Sequence, residues 1–125
     1  MDKSKYFYRT VVFFKHGDKV SVVDLNNVNE KPVELEPWLG IVVSLADGQH
    51  TIQELLDYLS IHYQDTPPDS LEKTIDSVIK RLTDTEAVIL SDTPVTLPYY
   101  LSLSAEQLDI EKARQSMAED GYIQR

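Results

Sequence analysis

Hydrophobic and polar positions change their period several times along the chain, and each change marks an element. Tyr6 to Phe14, YFYRTVVFF, is dense in aromatic and β-branched residues and too short for a globular helix, which predicts a strand. His16-Gly17-Asp18 is a turn signal, and Lys19 to Leu25 predicts the returning strand, so residues 6–25 are expected to form a hairpin. A polar loop, Asn26 to Glu30, leads to a very short third strand, Val33-Glu34-Leu35. Val33 and Leu35 share one face of it and Glu34 the other. Pro32 lacks an N–H, which places this strand at the edge of its sheet.

The period then becomes helical. Pro37 is a good first-turn residue for a helix whose Trp38, Ile41, Val42 and Leu45 share one side. Ala46 to His50 is expected to be a tight turn, with Gly48 free to take a positive φ. Thr51 and Glu54 form a capping box that opens a second helix with the stripe Ile52, Leu55, Leu56, Leu59 and Tyr63. After the loop Gln64–Pro68, Asp69 and Glu72 suggest another box. It opens a third helix, from about Ser70 to about Thr85, striped by Leu71, Ile75, Val78, Ile79 and Leu82. Val88-Ile89-Leu90 reads as extended. Residues 91–103 hold two prolines and no helical period, predicting an extended connector. Ser104 and Gln107 suggest a third box, opening a last helix that stops at Gly121 and carries only a thin stripe, Ile110, Ala113 and Met117. The order implies an α+β, winged-helix-like domain over residues 1–90, with a three-stranded antiparallel sheet and three helices. A connector at 91–103 and an additional C-terminal helix within 104–125 follow it.

Composition narrows the classes. A hydrophobic content of 42% supports a real core rather than disorder. There is no cysteine, which removes disulfides, thiolate metal sites and a cysteine nucleophile, and fits a cytoplasmic protein. No run is long enough to cross a membrane and no secretory signal is visible. The net charge of −9 is uneven: residues 1–20 carry five basic and two acidic side chains, the remainder seven and nineteen. Only the first twenty residues could exchange counterions with a duplex, so nucleic acid is not expected as a partner.

No catalytic constellation emerges. His16, His50 and His62 lack metal-ligand spacing, and no phosphate loop, G-x-G-x-x-G or nucleophile elbow is present. The carboxylates Asp57, Asp65, Asp76, Asp84 and Glu86 fall on predicted solvent faces. The expectation is a binding protein, not an enzyme, without metal or cofactor. An edge strand beside a helix can hold an extended peptide as one more strand, its side chains entering the adjoining groove. Here Val33, Glu34 and Leu35 would supply the strand, and the third helix the wall. Thr74, Ser77 and Arg81 form one flank of that helix, with Lys73 and Lys80 further round. The alternatives are an ordinary blunt edge and a simple balancing of neighbouring acidic residues on the helix.

The run from Leu35 to Leu59, L-x-P-W-L-x-I-V-x-x-L-A-D-G-x-x-T-I-x-E-L-L-x-x-L, resembles the PqqD-like proteins. The similarity continues through I-x-x-V-I-x-x-L at Ile75 to Leu82 and closes in Val88-Ile89-Leu90, covering about residues 6–90. These are the recognition elements of ribosomally made, post-translationally modified peptide pathways. The resemblance implies a winged-helix-like fold of three strands and three helices. It also implies a stand-alone adaptor that binds the leader of a precursor peptide and presents it to a modifying enzyme, typically a radical-SAM maturase. The leader would pair with the third strand and lie against the third helix, which by position assigns Val33, Glu34, Leu35, Thr74, Ser77, Val78 and Arg81 to peptide binding. The chain departs from the family in its very short third strand behind Pro32 and in its tail, residues 91–125. The tail is expected to contact the maturase or shield the groove, and a chain cut near residue 92 is expected to stay folded. Two other readings remain: an acidic winged-helix transcriptional regulator using its third helix, and a non-catalytic enzyme subunit docking through its last helix.

Overall fold

The computed structural model describes residues 2–17, 19–23, 31–65 and 67–120. The predicted loop at 26–30, the end of the second predicted strand at 24–25 and Gly121 lie outside the described residues. The fold is α+β, with two small antiparallel sheets and five helices among those residues. The strands are β1 (Tyr6–Arg9), β2 (Val12–His16), β3 (Lys19–Val23), β4 (Val33–Glu34), β5 (Asp47–Thr51) and β6 (Val88–Ser91). The helices are α1 (Pro37–Leu45), α2 (Ile52–His62), α3 (Pro68–Asp84), α4 (Tyr99–Ser102) and α5 (Ile110–Glu119), with a 3-10 turn at Ala105–Gln107.

The expected three-stranded sheet is present as β2-β3-β4, but its first strand begins at Val12. The predicted hairpin shortens accordingly to β2 and β3, paired from Val12↔Val23 to His16↔Lys19. Residues 6–9 leave that sheet and become the centre of a second one, β5-β1-β6. The break falls at Thr10, whose N–H is given to Ala87 and whose hydroxyl is given to Glu86. Residues 47–51 belong to this second sheet: the predicted turn at 46–50 is largely strand, pairing Tyr6↔Thr51 and Tyr8↔Asp47 across a bulge. Gly48 takes the expected positive φ, +78°, inside that strand rather than at a helix end. A side chain there would collide with the Val95 carbonyl, which crosses at the bulge.

The main core lies between helices α1, α2 and α3 and strands of both sheets. It gathers Phe7, Phe13 and Val20 with Val42, Ile52, Leu59, Ile75 and Val88. All five predicted stripe residues of α3 are buried, as are Ile52, Leu55, Leu56 and Leu59 of α2. The Thr51–Glu54 capping box is formed in both directions. In contrast, α1 buries Leu39, Val42 and Val43, while Trp38, Ile41 and Leu45 are only half-buried. Gly40 sets the rotation of α1, because a Cβ there would lie 2.9 Å from Val20 Cβ, so helix and sheet meet backbone to side chain. Asp69 does not cap α3, which begins at Pro68 behind Pro67.

The tail is built differently from the expected connector and helix. Residues 99–102 form α4, Ser104 opens only a 3-10 turn, and α5 begins at Ile110 under a cap in which Asp109 accepts from the Lys112 N–H. Tyr100, Leu101, Leu108, Ala113 and Met117 pack on Val12 and Val23 as a second buried cluster. Val12 and Val23 point away from Phe13 and Val20, so the β2-β3 pair is covered on both faces, which is why Val12 and Phe13 are both buried.

α3 ends in a Schellman motif. The Ala87 N–H reaches the Leu82 carbonyl and the Glu86 N–H reaches Thr83, leaving Glu86 at φ +62°. An L side chain is strained there, so Glu86→Gly is expected to raise stability by about 0.5–1 kcal/mol in urea denaturation. An unchanged or lower midpoint would show that the glutamate side chain offsets the strain.

Candidate functional site

Sheet β2-β3-β4 has two edges, and the chain treats them differently. In β4, Val33 lies opposite Val22 and Glu34 opposite Ser21, and the Leu35 N–H is given to the Val20 carbonyl at 2.9 Å. Antiparallel ladders alternate, so Val33 and Leu35 turn their backbone groups toward β3. The N–H and C=O of Glu34 therefore point outward, along the open edge of the sheet. The same alternation turns the Lys15 N–H outward at the β2 edge. There it meets the Glu106 carboxylate, with both oxygens at 3.2 Å. Burial alone would raise the Glu106 carboxyl, but hydrogen bonds from Ser104 and from backbone N–H groups, including that of Lys15, outweigh it and hold it below its ordinary value. The tail thus closes one edge, and among the described residues no strand pairs with the outer side of β4.

Beside that open edge runs an apolar concavity of about 380 Å³. Val33 and Leu35 form its strand wall, Val11 and Val22 its sheet floor, Leu39 and Val43 its α1 side, and Arg81, Leu82 and Thr85 its α3 wall, with Ala87 at the end. Val33 is 61% exposed, a large apolar side chain left uncovered at the rim. Arg81 spans the rim to Glu36, with Nη1 at 2.8 Å from Oε2. That hydrogen bond, and then the charge, lowers the Glu36 pKa and raises that of Arg81; both groups are exposed, so the pair orients more than it stabilises.

Of the expected site residues, the structure brings Val33, Leu35 and Arg81 together around this concavity. Glu34 belongs to the same strand but faces the opposite side of the sheet, where its carboxylate lies 3.7 Å from Lys19 Nζ. Val78 is buried in the main core, and neither half-buried Thr74 nor exposed Ser77 lines the concavity. The α3 wall is instead Arg81, Leu82 and Thr85, one turn or more further along. Sequence reasoning missed Val11, Val22, Leu39, Val43, Leu82, Thr85 and Ala87. The step i,i+4 from Arg81 reaches Thr85, and a strand register would have supplied Val22 opposite Val33. No described residue of the tail lines the concavity, so among the described residues the expected shielding of the groove is not seen: the tail there covers the other face of the sheet.

The expected solvent faces are as read, with Asp57, Asp65, Asp76, Asp84 and Glu86 all exposed. His50 Nδ1 lies 3.2 Å from both carboxylate oxygens of Asp47, beside a smaller hollow of about 260 Å³ floored by Phe7, Leu45 and Leu55. The neighbouring Ser44 gives its hydroxyl to the Ile41 carbonyl, so this pair holds no aligned nucleophile. Among the described residues no cluster of three or more His, Asp or Glu side chains could hold a metal ion. No helix among them is long and apolar enough to cross a membrane. Comparison with protein-family models, curated proteins and solved structures gave no match.

Proposed function

We propose that this chain is a non-catalytic, cytoplasmic adaptor that holds the leader segment of a ribosomally made precursor peptide and presents it to a modifying enzyme of the radical-SAM class, as its resemblance to the PqqD-like proteins implies. The observation that carries the reading is the coincidence of an open strand edge with an apolar concavity beside it. Backbone pairing at Glu34 supplies orientation, and Val33, Leu35 and Leu82 supply apolar surface for alternate ligand side chains. The opposite edge of the same sheet is blocked by Glu106, which leaves β4 as the edge of that sheet for an added strand. A duplex-binding role for α3 finds little support in its charges, because Arg81 is already paired with Glu36 and Lys73 lies among Asp69, Glu72 and Asp76.

The test is calorimetry with the leader of a small precursor encoded beside this gene. Wild type is expected to bind in the micromolar range or tighter. Leu35→Asp, which puts a carboxylate on the apolar wall, is expected to weaken binding by at least about tenfold, and Arg81→Glu, which sets two carboxylates against each other at the rim, by severalfold. Absence of binding by the wild type would sink the proposal, and equal binding by all three proteins would move the site elsewhere.

A further inference from the structure

We infer that the peptide accepted at the β4 edge carries a basic residue flanked by two apolar ones, with the basic residue opposite Glu34. This rests on the peptide-binding reading above and adds the selectivity that the register imposes. Strand β4 is two residues long, lies behind Pro32 and is followed at Pro37 by α1. Within it only Glu34 turns both its N–H and its C=O to the open side, so an added strand has one register available, with one of its residues directly across from Glu34. Paired residues share a face. The residue opposite Glu34 therefore projects on the Glu34 side of the sheet, away from the concavity. Its two neighbours project on the other side, beside Val33 and Leu35, into apolar surroundings.

Charge then selects the central residue. On its face, among the described residues, lie the exposed Glu34 carboxylate, directly opposite, and Lys19 on β3, one strand further away. The Glu34–Lys19 contact, at 3.7 Å between two exposed side chains, leaves acceptor capacity on Glu34. A lysine or arginine across from Glu34 meets an opposite charge. An aspartate or glutamate there meets a like charge, with Lys19 on the far side of it.

The experiment is selection of a displayed library of short random peptides on the full chain, repeated with Glu34→Lys and with Leu35→Asp. Wild type is expected to enrich apolar–basic–apolar triplets over apolar–acidic–apolar ones by about fivefold, and Glu34→Lys to invert that preference. Enrichment of alternating apolar residues by the wild type with no preference at the central position, unchanged in Glu34→Lys, would overturn the inference while leaving strand addition intact. Failure of wild type to enrich any peptide beyond the Leu35→Asp control would overturn the peptide-binding reading and this inference with it.

Discussion

Replacing Arg9 with methionine is expected to lower stability by about 3–5 kcal/mol, although Arg9 pairs with no carboxylate among the described residues. The side chain is 3% exposed. Its Nε donates to the Leu101 carbonyl at 2.8 Å, and Nη1 lies 3.3 Å from each of the carbonyls of Val43, Ser44 and Ala46. Those three carbonyls are at the C-terminal end of α1, where the helix leaves acceptors unsatisfied and its dipole favours a cation. The guanidinium also stacks 4.6 Å from the centre of the Phe13 ring. Burial pushes the Arg9 pKa down to about 10, with Asp47 opposing the shift, so the group remains charged at neutral pH. Methionine fills similar space but takes this donor from three buried carbonyls and the part-buried one of Ser44, of which only those of Ala46 and Val43 keep a backbone N–H, from Arg9 and Ala46. Arg9→Lys keeps the charge yet cannot reach α1 and the tail together, and is expected to lose about half as much. Urea denaturation measures both, and a loss under about 1 kcal/mol for Arg9→Met would mean that water replaces the guanidinium.

Arg9 also explains why part of the fold was hidden in the sequence. The run YFYRTVVFF reads as one strand because its neighbours are uniformly β-formers. Its arginine turns inward, and the chain changes sheets at Thr10 to place it. Nothing local marks an inward arginine, since its partners are backbone carbonyls distant in sequence. The segment Asp47–Thr51 has turn composition and becomes strand only because β1 supplies a ladder, a tertiary effect that overrides propensity. The apolar stripe of helix α3 was legible to the residue because its other face is strongly polar, which fixes the phase, whereas its start lies two residues before the expected Ser70 and lacks the expected cap. Helix α1 was legible as a helix but not in phase: from Trp38 to Leu45 its side chains are almost all apolar, so periodicity cannot say which side is inward. Packing of Gly40 against Val20 decides it. The edge character of residues 33–35 followed from Pro32 and from alternation. The wall opposite was misplaced toward Thr74 and Ser77 because helical spacing gives the face of α3 but not where the helix crosses the sheet.

Ending the chain after Asp92 is expected to destabilise what remains by at least about 3 kcal/mol, contrary to the reading of residues 91–125 as an appendage. Tyr100 is 1% exposed and gives its hydroxyl to Asp120 at 3.1 Å, and Leu101, Leu108 and Met117 are buried with it. Removing them bares Val12 and Val23 on a sheet only three strands wide. It also takes the Leu101 carbonyl from Arg9 and the Glu106 carboxylate from the Lys15 N–H. The second loss reopens the β2 edge, so the shortened chain is expected to self-associate as well as to unfold earlier. The point variant Tyr100→Ala removes the buried ring and its hydrogen bond to Asp120 but leaves the edge capped, and is expected to cost about 3 kcal/mol. The two together separate stability from edge protection: sedimentation should show aggregation for the shortened chain and a monomer for Tyr100→Ala at equal urea midpoint. A shortened chain that keeps the full-length midpoint and stays monomeric would return the tail to the role of a docking appendage.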